Sequence, residues 1–275
     1  MQDAPPPVHF FVHVPKCAGT TVEAHFARHL GPDGFLLAPR WRHPLRDIVG
    51  NRYPDVDLLA LRRVQVVSGH SLSRAFAAKF TGRALREHVL IRDPLSYLVS
   101  FYNYRWARHE ERGEPTPPPF ADWTRTQRRN PLSRFLLHRY FGVGYPSVYR
   151  LSSRARFELL ERAFAGFAWV SAWTRADEAI AALSAQLGLP TEPARENVGQ
   201  ARRLSLADIP EDSRRALEAE HALDLLLFER WKDRGADPSA NPPDPEGAAR
   251  ALSGTDALAY LPADLESAIR RKLWR

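Results

Sequence analysis

The sequence predicts an α/β protein with a mainly parallel central sheet flanked by helices. Two observations carry this expectation. Four short apolar runs, His9 to Val14, Val64 to Ser68, His88 to Ile91 and Phe167 to Ser171, have the β-branched and aromatic content of buried strands. Segments with helical periodicity lie between and after them, and strands spaced by helices favour parallel pairing through crossover connections. A length of 275 residues suffices for one large domain with an appendage.

Taken in order, the first strand runs into Pro15-Lys16-Cys17-Ala18-Gly19-Thr20-Thr21 and a helix over Thr21 to Leu30. The second ends in Ser68-Gly69-His70-Ser71, ahead of a short helical stretch, Arg74 to Phe80. The third passes through Arg92-Asp93-Pro94 into a helix over Pro94 to Glu111, with Asp93 as N-cap and Pro94 at the first helical position. Gly113 to Pro119 (GEPTPPP) is too rich in proline for either element and is an exposed loop. Further helices are expected over Pro131 to Tyr140, Arg154 to Ala165, Ala176 to Leu187 and Ser213 to Arg234. Gly235 to Gly247 (GADPSANPPDPEG) reads as a linker. The organisation is therefore a domain over 1–234, a linker over 235–247 and an extension over 248–275, with one amphipathic helix over Pro262 to Trp274. No internal repeat is present.

Hydrophobic residues at 44% and charged residues at 26% match a soluble globular chain and exclude disorder or a fibrous repeat. The single cysteine, Cys17, excludes an intramolecular disulfide and a cysteine-rich metal site, which favours a reducing compartment. No stretch of 18 apolar residues and no basic segment leading into an apolar run occurs, so the expectation is a soluble, cytoplasmic protein with no integral membrane segment. The formal charge of +7 favours anionic partners. Only four basic residues are lysines, and one of them, Lys16, lies in the first strand-to-helix loop, where a compact point charge does something a guanidinium fork does not.

That loop has the makings of an anion site: small residues let a phosphate approach the backbone, and the N–H groups at the helix start point at it. The Walker A pattern fails, because no glycine lies five residues before Gly19 and no lysine follows it. Cys17 at a helix start is an attractive nucleophile, but a cysteine phosphatase needs arginine six residues on, where Glu23 stands. The loop is also readable as a simple helix start, with Thr20 and Glu23 as a capping box. At the third strand, Arg92 at a helix mouth, with Ser100 on the face of Ser96, suits a second phosphate. His70 follows the end of a strand, where open α/β sheets place reactive groups. Most of the ten histidines, such as His25, His29 and His138, fall in amphipathic helical stretches and read as surface or core fillers.

HVPKCAGTT resembles the 5′-phosphosulfate loop of sulfotransferases that use 3′-phosphoadenosine-5′-phosphosulfate (PAPS), in the form found in carbohydrate enzymes of the heparan sulfate type. R-D-P with a serine eight residues after the arginine resembles that family's 3′-phosphate motif, and Arg92 and Ser100 fit it; Tyr97 stands where many members carry a basic residue. The G-H pair at His70 resembles the catalytic histidine. The resemblance spans roughly 8 to 234, with specific motifs in the first hundred residues, and weaker likenesses at Trp169-Val170-Ser171, Asp177 to Leu187 and Leu223 to Trp231.

The resemblance implies a P-loop-like sulfotransferase fold and PAPS as co-substrate, without a metal. His70 is then the general base and Lys16 neutralises the leaving phosphate. Lys16, Cys17, Ala18, Gly19, Thr20 and Thr21 hold the 5′-phosphate, while Arg92 and Ser100 hold the 3′-phosphate. The acceptor is a hydroxyl compound, first of all a carbohydrate, with an anionic glycan in view. Trp41 within Arg40 to Arg46, or Trp106 with Arg105, could stack a sugar; Asn197 to Ser205 could return over the nucleotide; His43 and His109 are reserve bases.

Two other classes compete. A nucleotide phosphotransferase with an atypical phosphate loop lacks both a Walker lysine and a clear acidic metal ligand. A non-catalytic polyanion-binding protein would show a continuous basic helix, and the nearest candidate, Arg105 to Arg112, is interrupted by Glu110 and Glu111, so no nucleic-acid partner is expected.

Overall fold

The computed structural model describes residues 5–39, 58–192 and 203–236. They form one six-stranded sheet in the order β2-β3-β1-β4-β5-β6. The strands are β1 (Val8–Val12), β2 (Phe35–Leu37), β3 (Val66–Gly69), β4 (Leu85–Ile91), β5 (Trp169–Ala172) and β6 (Gly235–Ala236). The first five are parallel and β6 joins β5 antiparallel. The four expected strands are all present, shifted by a residue or more at their ends. Strands β2 and β6 were not anticipated, because three and two residues are too few to show a period. Gly235 and Ala236, read as the start of the linker, instead pair with Val170 and Trp169.

β1 occupies the middle of the sheet and every one of its residues is buried. Phe10, Val12, Val66, Val67, Val89, Ile91 and Val170 belong to one continuous core. The flanking helices α1 (Gly19–Gly34) and α2 (Pro94–Arg112) leave the C-terminal ends of β1 and β4. α1 packs on α3 (Ala176–Leu187), where His25 Nε2 and Ser184 Oγ are 2.9 Å apart in the interior. A second apolar cluster gathers on α2, with Leu95, Leu98 and Tyr102 against Trp123 and Leu217.

Three expected helices take other forms. Arg74–Lys79 winds as a 3₁₀ helix capped by the Ser73 hydroxyl. Pro131–Arg134 begins as an α-helix and widens into a π-helix over Phe135–Tyr140. The stretch expected as one helix over Ser213 to Arg234 is two, Glu211–Glu220 and Ala222–Trp231. The break falls at His221, whose Nδ1 accepts from the Asn130 N–H at 3.0 Å. Asp224, one turn on, accepts from the N–H groups of Leu132 and Ser133 at 2.7 and 2.9 Å. Long-range bonds to the start of the 131 helix thus override local periodicity. Among the described residues no helix is long and apolar enough to cross a membrane.

Candidate active site at the carboxyl edge of the sheet

Because β1, β3, β4 and β5 are parallel, the residues that follow them meet at one edge: His13 to Gly19, His70, Arg92 and Trp173. This edge is where open α/β sheets bind ligands.

The loop after β1 is bent by two non-glycine residues in the left-handed region, Lys16 (φ 63°) and Ala18 (φ 60°). Each costs about 1–2 kcal/mol, so the surrounding structure must hold them there. Ala18 is the N-cap of α1 and its carbonyl accepts from Thr21 and Val22. Among the described residues no backbone carbonyl accepts from the N–H groups of Ala18, Gly19 or Thr20. Successive donors in alternating conformations, at a helix N-terminus, form a concave anion-binding array. The Thr20 and Glu23 capping box is not formed.

Glu23 turns to a different task. Its Oε1 accepts from His13 Nδ1 at 2.7 Å and from the Ser68 hydroxyl at 2.8 Å, so its charge is matched by two donors. Glycine at 19 follows from this packing: a β-carbon there would fall 2.0 Å from His13 Cδ2. The His13 ring lies against that of His70, with centroids 3.8 Å apart. His70 is exposed, and its Nδ1 donates to the His13 main-chain carbonyl at 3.0 Å. A carbonyl can only accept, so in the neutral ring the lone pair sits on Nε2. Gly69, just before it, has φ 130°, a conformation that residues with a side chain rarely adopt.

On the other side of the loop, the Lys16 ammonium lies 4.4 Å from the centre of the Tyr104 ring, over its face. Burial, and then the neighbouring Arg92 charge, hold its pKa below the ordinary lysine value. Arg92 donates through Nη1 to the Lys16 carbonyl at 2.9 Å and through Nε to Ser96 Oγ at 3.0 Å, and its guanidinium stacks 4.0 Å from the Trp173 ring centre. Asp93 caps α2 by accepting from the Ser96 N–H at 2.9 Å, as its sequence predicts. Ser100 lies one turn beyond Ser96 and is half-buried.

Cys17 is buried, and burial pushes its thiol up to about 12, which removes it as a nucleophile. Beside the loop a cavity of about 350 Å³ is lined by Val14, Pro15, Tyr97, Phe101, Arg134 and Phe135, among others.

The structure therefore brings Lys16, Cys17, Ala18, Gly19, Thr20, Thr21, His70 and Arg92 to one edge, with Ser100 further along α2. Trp106 and Arg105 are otherwise engaged: Arg203 stacks 4.8 Å from the Trp106 ring centre, and Arg105 pairs with Glu114 at 2.9 Å. His109 Nδ1 donates to the Glu114 carbonyl. Trp41, His43, residues 197–202 and the Pro262 to Trp274 helix lie outside the described residues. Sequence reasoning missed His13, Ser96, Tyr104 and Trp173. Trp173 was within reach, since it follows a recognised strand at its C-terminal end; the others depend on contacts made only in the folded chain. No family model, curated protein or solved structure matches this chain.

Proposed function

We propose that the chain is a sulfotransferase using PAPS, acting on the hydroxyl of an acceptor, with a carbohydrate as the first candidate. The observation that carries this reading is the bond from Arg92 to the Lys16 carbonyl. It ties together the two elements whose sequences resemble the 5′- and 3′-phosphate motifs of that family. One nucleotide carrying both phosphates then fits the pair better than a nucleotide with a single phosphate chain.

In this reading the loop N–H groups of Ala18, Gly19 and Thr20 hold the 5′-phosphosulfate, with Cys17 and Thr21 shaping the loop through their own N–H bonds to the Val14 and Ala18 carbonyls. Arg92 and Ser100 hold the 3′-phosphate, with Ser96 releasing or sharing Arg92 as the ligand enters. The acceptor oxygen attacks sulfur in line, an O–S bond forms, and the bond from sulfur to the bridging oxygen breaks with its electron pair on the 5′-phosphate. The acceptor proton passes to His70 Nε2, the atom left basic by the bond at Nδ1. Lys16 balances the charge that grows on the leaving phosphate. The cavity next to Val14 and Pro15 gives room beside this centre for one of the two substrates.

Adenosine 3′,5′-bisphosphate should raise Tm, and ATP with magnesium should not. PAPS should support sulfuryl transfer to a panel of glycans. His70→Ala should keep the nucleotide-induced Tm rise and lose about 10²- to 10⁴-fold in transfer. Stabilisation by ATP with magnesium alone would overturn the reading in favour of a phosphotransferase.

A further inference from the structure

The main chain of Lys16 is pinned, with φ 63° and its carbonyl bound to Arg92, but its side chain is a flexible four-carbon stem. Among the described residues no carboxylate pairs with its ammonium, and the charge that acts on it most is the like charge of Arg92. Repulsion by itself would send the ammonium away from this edge. What it rests on instead is the face of Tyr104, 4.4 Å from the ring centre, where the negative face of the aromatic system attracts a cation.

That ring is itself held. Its hydroxyl accepts from Arg108 Nη1 at 3.2 Å, and Arg108 pairs in turn with Glu114. Phe101 lies nearly parallel to it, 14° between planes and 6.3 Å between centroids. Ser96, Ser100, Tyr104 and Arg108 follow at intervals of four and so share one side of α2. An ammonium has three N–H donors, and contact with a ring leaves others open to an anion.

We propose that Tyr104 is a positioning residue for Lys16: its ring face holds the ammonium at the anion-binding edge, one turn along α2 from Ser100, with donors left for the leaving phosphate. The effect on sulfuryl transfer rests on the sulfotransferase reading, while the hold on the ammonium does not.

The test uses the full chain with ¹³C at lysine Cε. Only four lysines are present, and Lys16→Ala assigns the signal of interest. Protons above an aromatic face are shifted upfield, so the Lys16 ε-methylene should lie upfield of the other three. Tyr104→Phe should keep that shift and Tyr104→Leu should remove it. In sulfuryl transfer Tyr104→Leu should lower kcat about 3- to 30-fold, the range for losing one partly desolvated cation–ring contact. KM for PAPS should stay within about threefold, and Tyr104→Phe should recover most of the loss. Added to Lys16→Ala, Tyr104→Leu should cost nothing further. If Tyr104→Leu does not fold, phenylalanine at 104 carrying no, one or three ring fluorines keeps the shape and drains the ring face, and kcat should fall in that order.

A Lys16 signal that ignores the residue at 104, with native kcat in Tyr104→Leu or across the fluorine series, would overturn the proposal. A raised KM with unchanged kcat would show that the ring touches the nucleotide directly, and an equal loss in the Lys16→Ala background would show that it acts through another group; either result overturns positioning of Lys16. A native protein that transfers nothing from PAPS, yet whose Lys16 signal follows the ring at 104, would uphold the hold on the ammonium and remove the sulfotransferase reading.

Discussion

Arg92, at the C-terminal end of β4, donates from Nη1 to the main-chain carbonyl of Lys16 at 2.9 Å, across 76 residues of sequence. Lys16 is one of the two non-glycine residues that bend the loop through the left-handed region. A hydrogen bond from a charged donor contributes about 1.5–3 kcal/mol, enough to offset the strain of about 1–2 kcal/mol at that residue. The same guanidinium stacks on Trp173, the residue that follows β5, so three neighbouring strand ends hold one loop conformation.

Arg92→Ala should therefore have two separable effects. Losing the 3′-phosphate partner should weaken adenosine 3′,5′-bisphosphate by about 2–4 kcal/mol. Losing the loop tie should weaken adenosine 5′-phosphosulfate by a smaller amount. Titration calorimetry with both ligands reads the difference directly. Equal losses would show that Arg92 acts only through the loop.

Lys16 gives a pH dependence with a definite sign. Its pKa is lowered first by burial and then by Arg92, so the ammonium form is lost as pH rises through a value below that of an ordinary lysine. A bound phosphate favours the ammonium and moves that value back up. The alkaline limb of kcat/KM, which reports the free enzyme, should therefore lie at lower pH than the limb of kcat. Lys16→Ala should remove both limbs and lower kcat more than nucleotide binding. Coincident limbs would place Lys16 away from the phosphate.

Cys17 should be chemically silent in the folded protein. With its thiol pushed up to about 12 by burial, thiolate forms only in strongly alkaline solution. Iodoacetamide at pH 8 should leave Cys17 unmodified over hours and label it within minutes once denaturant is added. Rapid labelling of the native chain would show that the loop opens.

Gly19→Ala should destabilise the protein by about 1–3 kcal/mol, the range for overpacking, because its methyl group would fall 2.0 Å from His13 Cδ2. Denaturant titration measures this loss. His13→Ala in the same chain should recover part of it, since the obstructing ring is gone; a purely additive double variant would show that the clash is relieved elsewhere.

The sequence by itself determined the elements whose causes are local. Four strands, the capped turn at Asp93-Pro94 and the loop that starts at Pro15 follow from residues a few positions apart; the capped turn is found as expected, and the strands are found with their ends shifted by up to three residues. The tertiary structure decided what those residues do. T-x-x-E at Thr20 to Glu23 reads locally as a capping box, but Glu23 finds His13 and the Ser68 hydroxyl instead. One helix over Ser213 to Arg234 is the local expectation, yet His221 and Asp224 are committed to backbone donors some 90 residues earlier, and the helix breaks. The His13 and His70 pair depends on the register Val12 to Gly69. Register is set when two distant strands bury their faces together, and a slip of one residue would send every side chain to the other face. Spacing along the chain carries no record of that choice, so the place of His70 after its strand was legible in the sequence and its contact with the His13 ring was not.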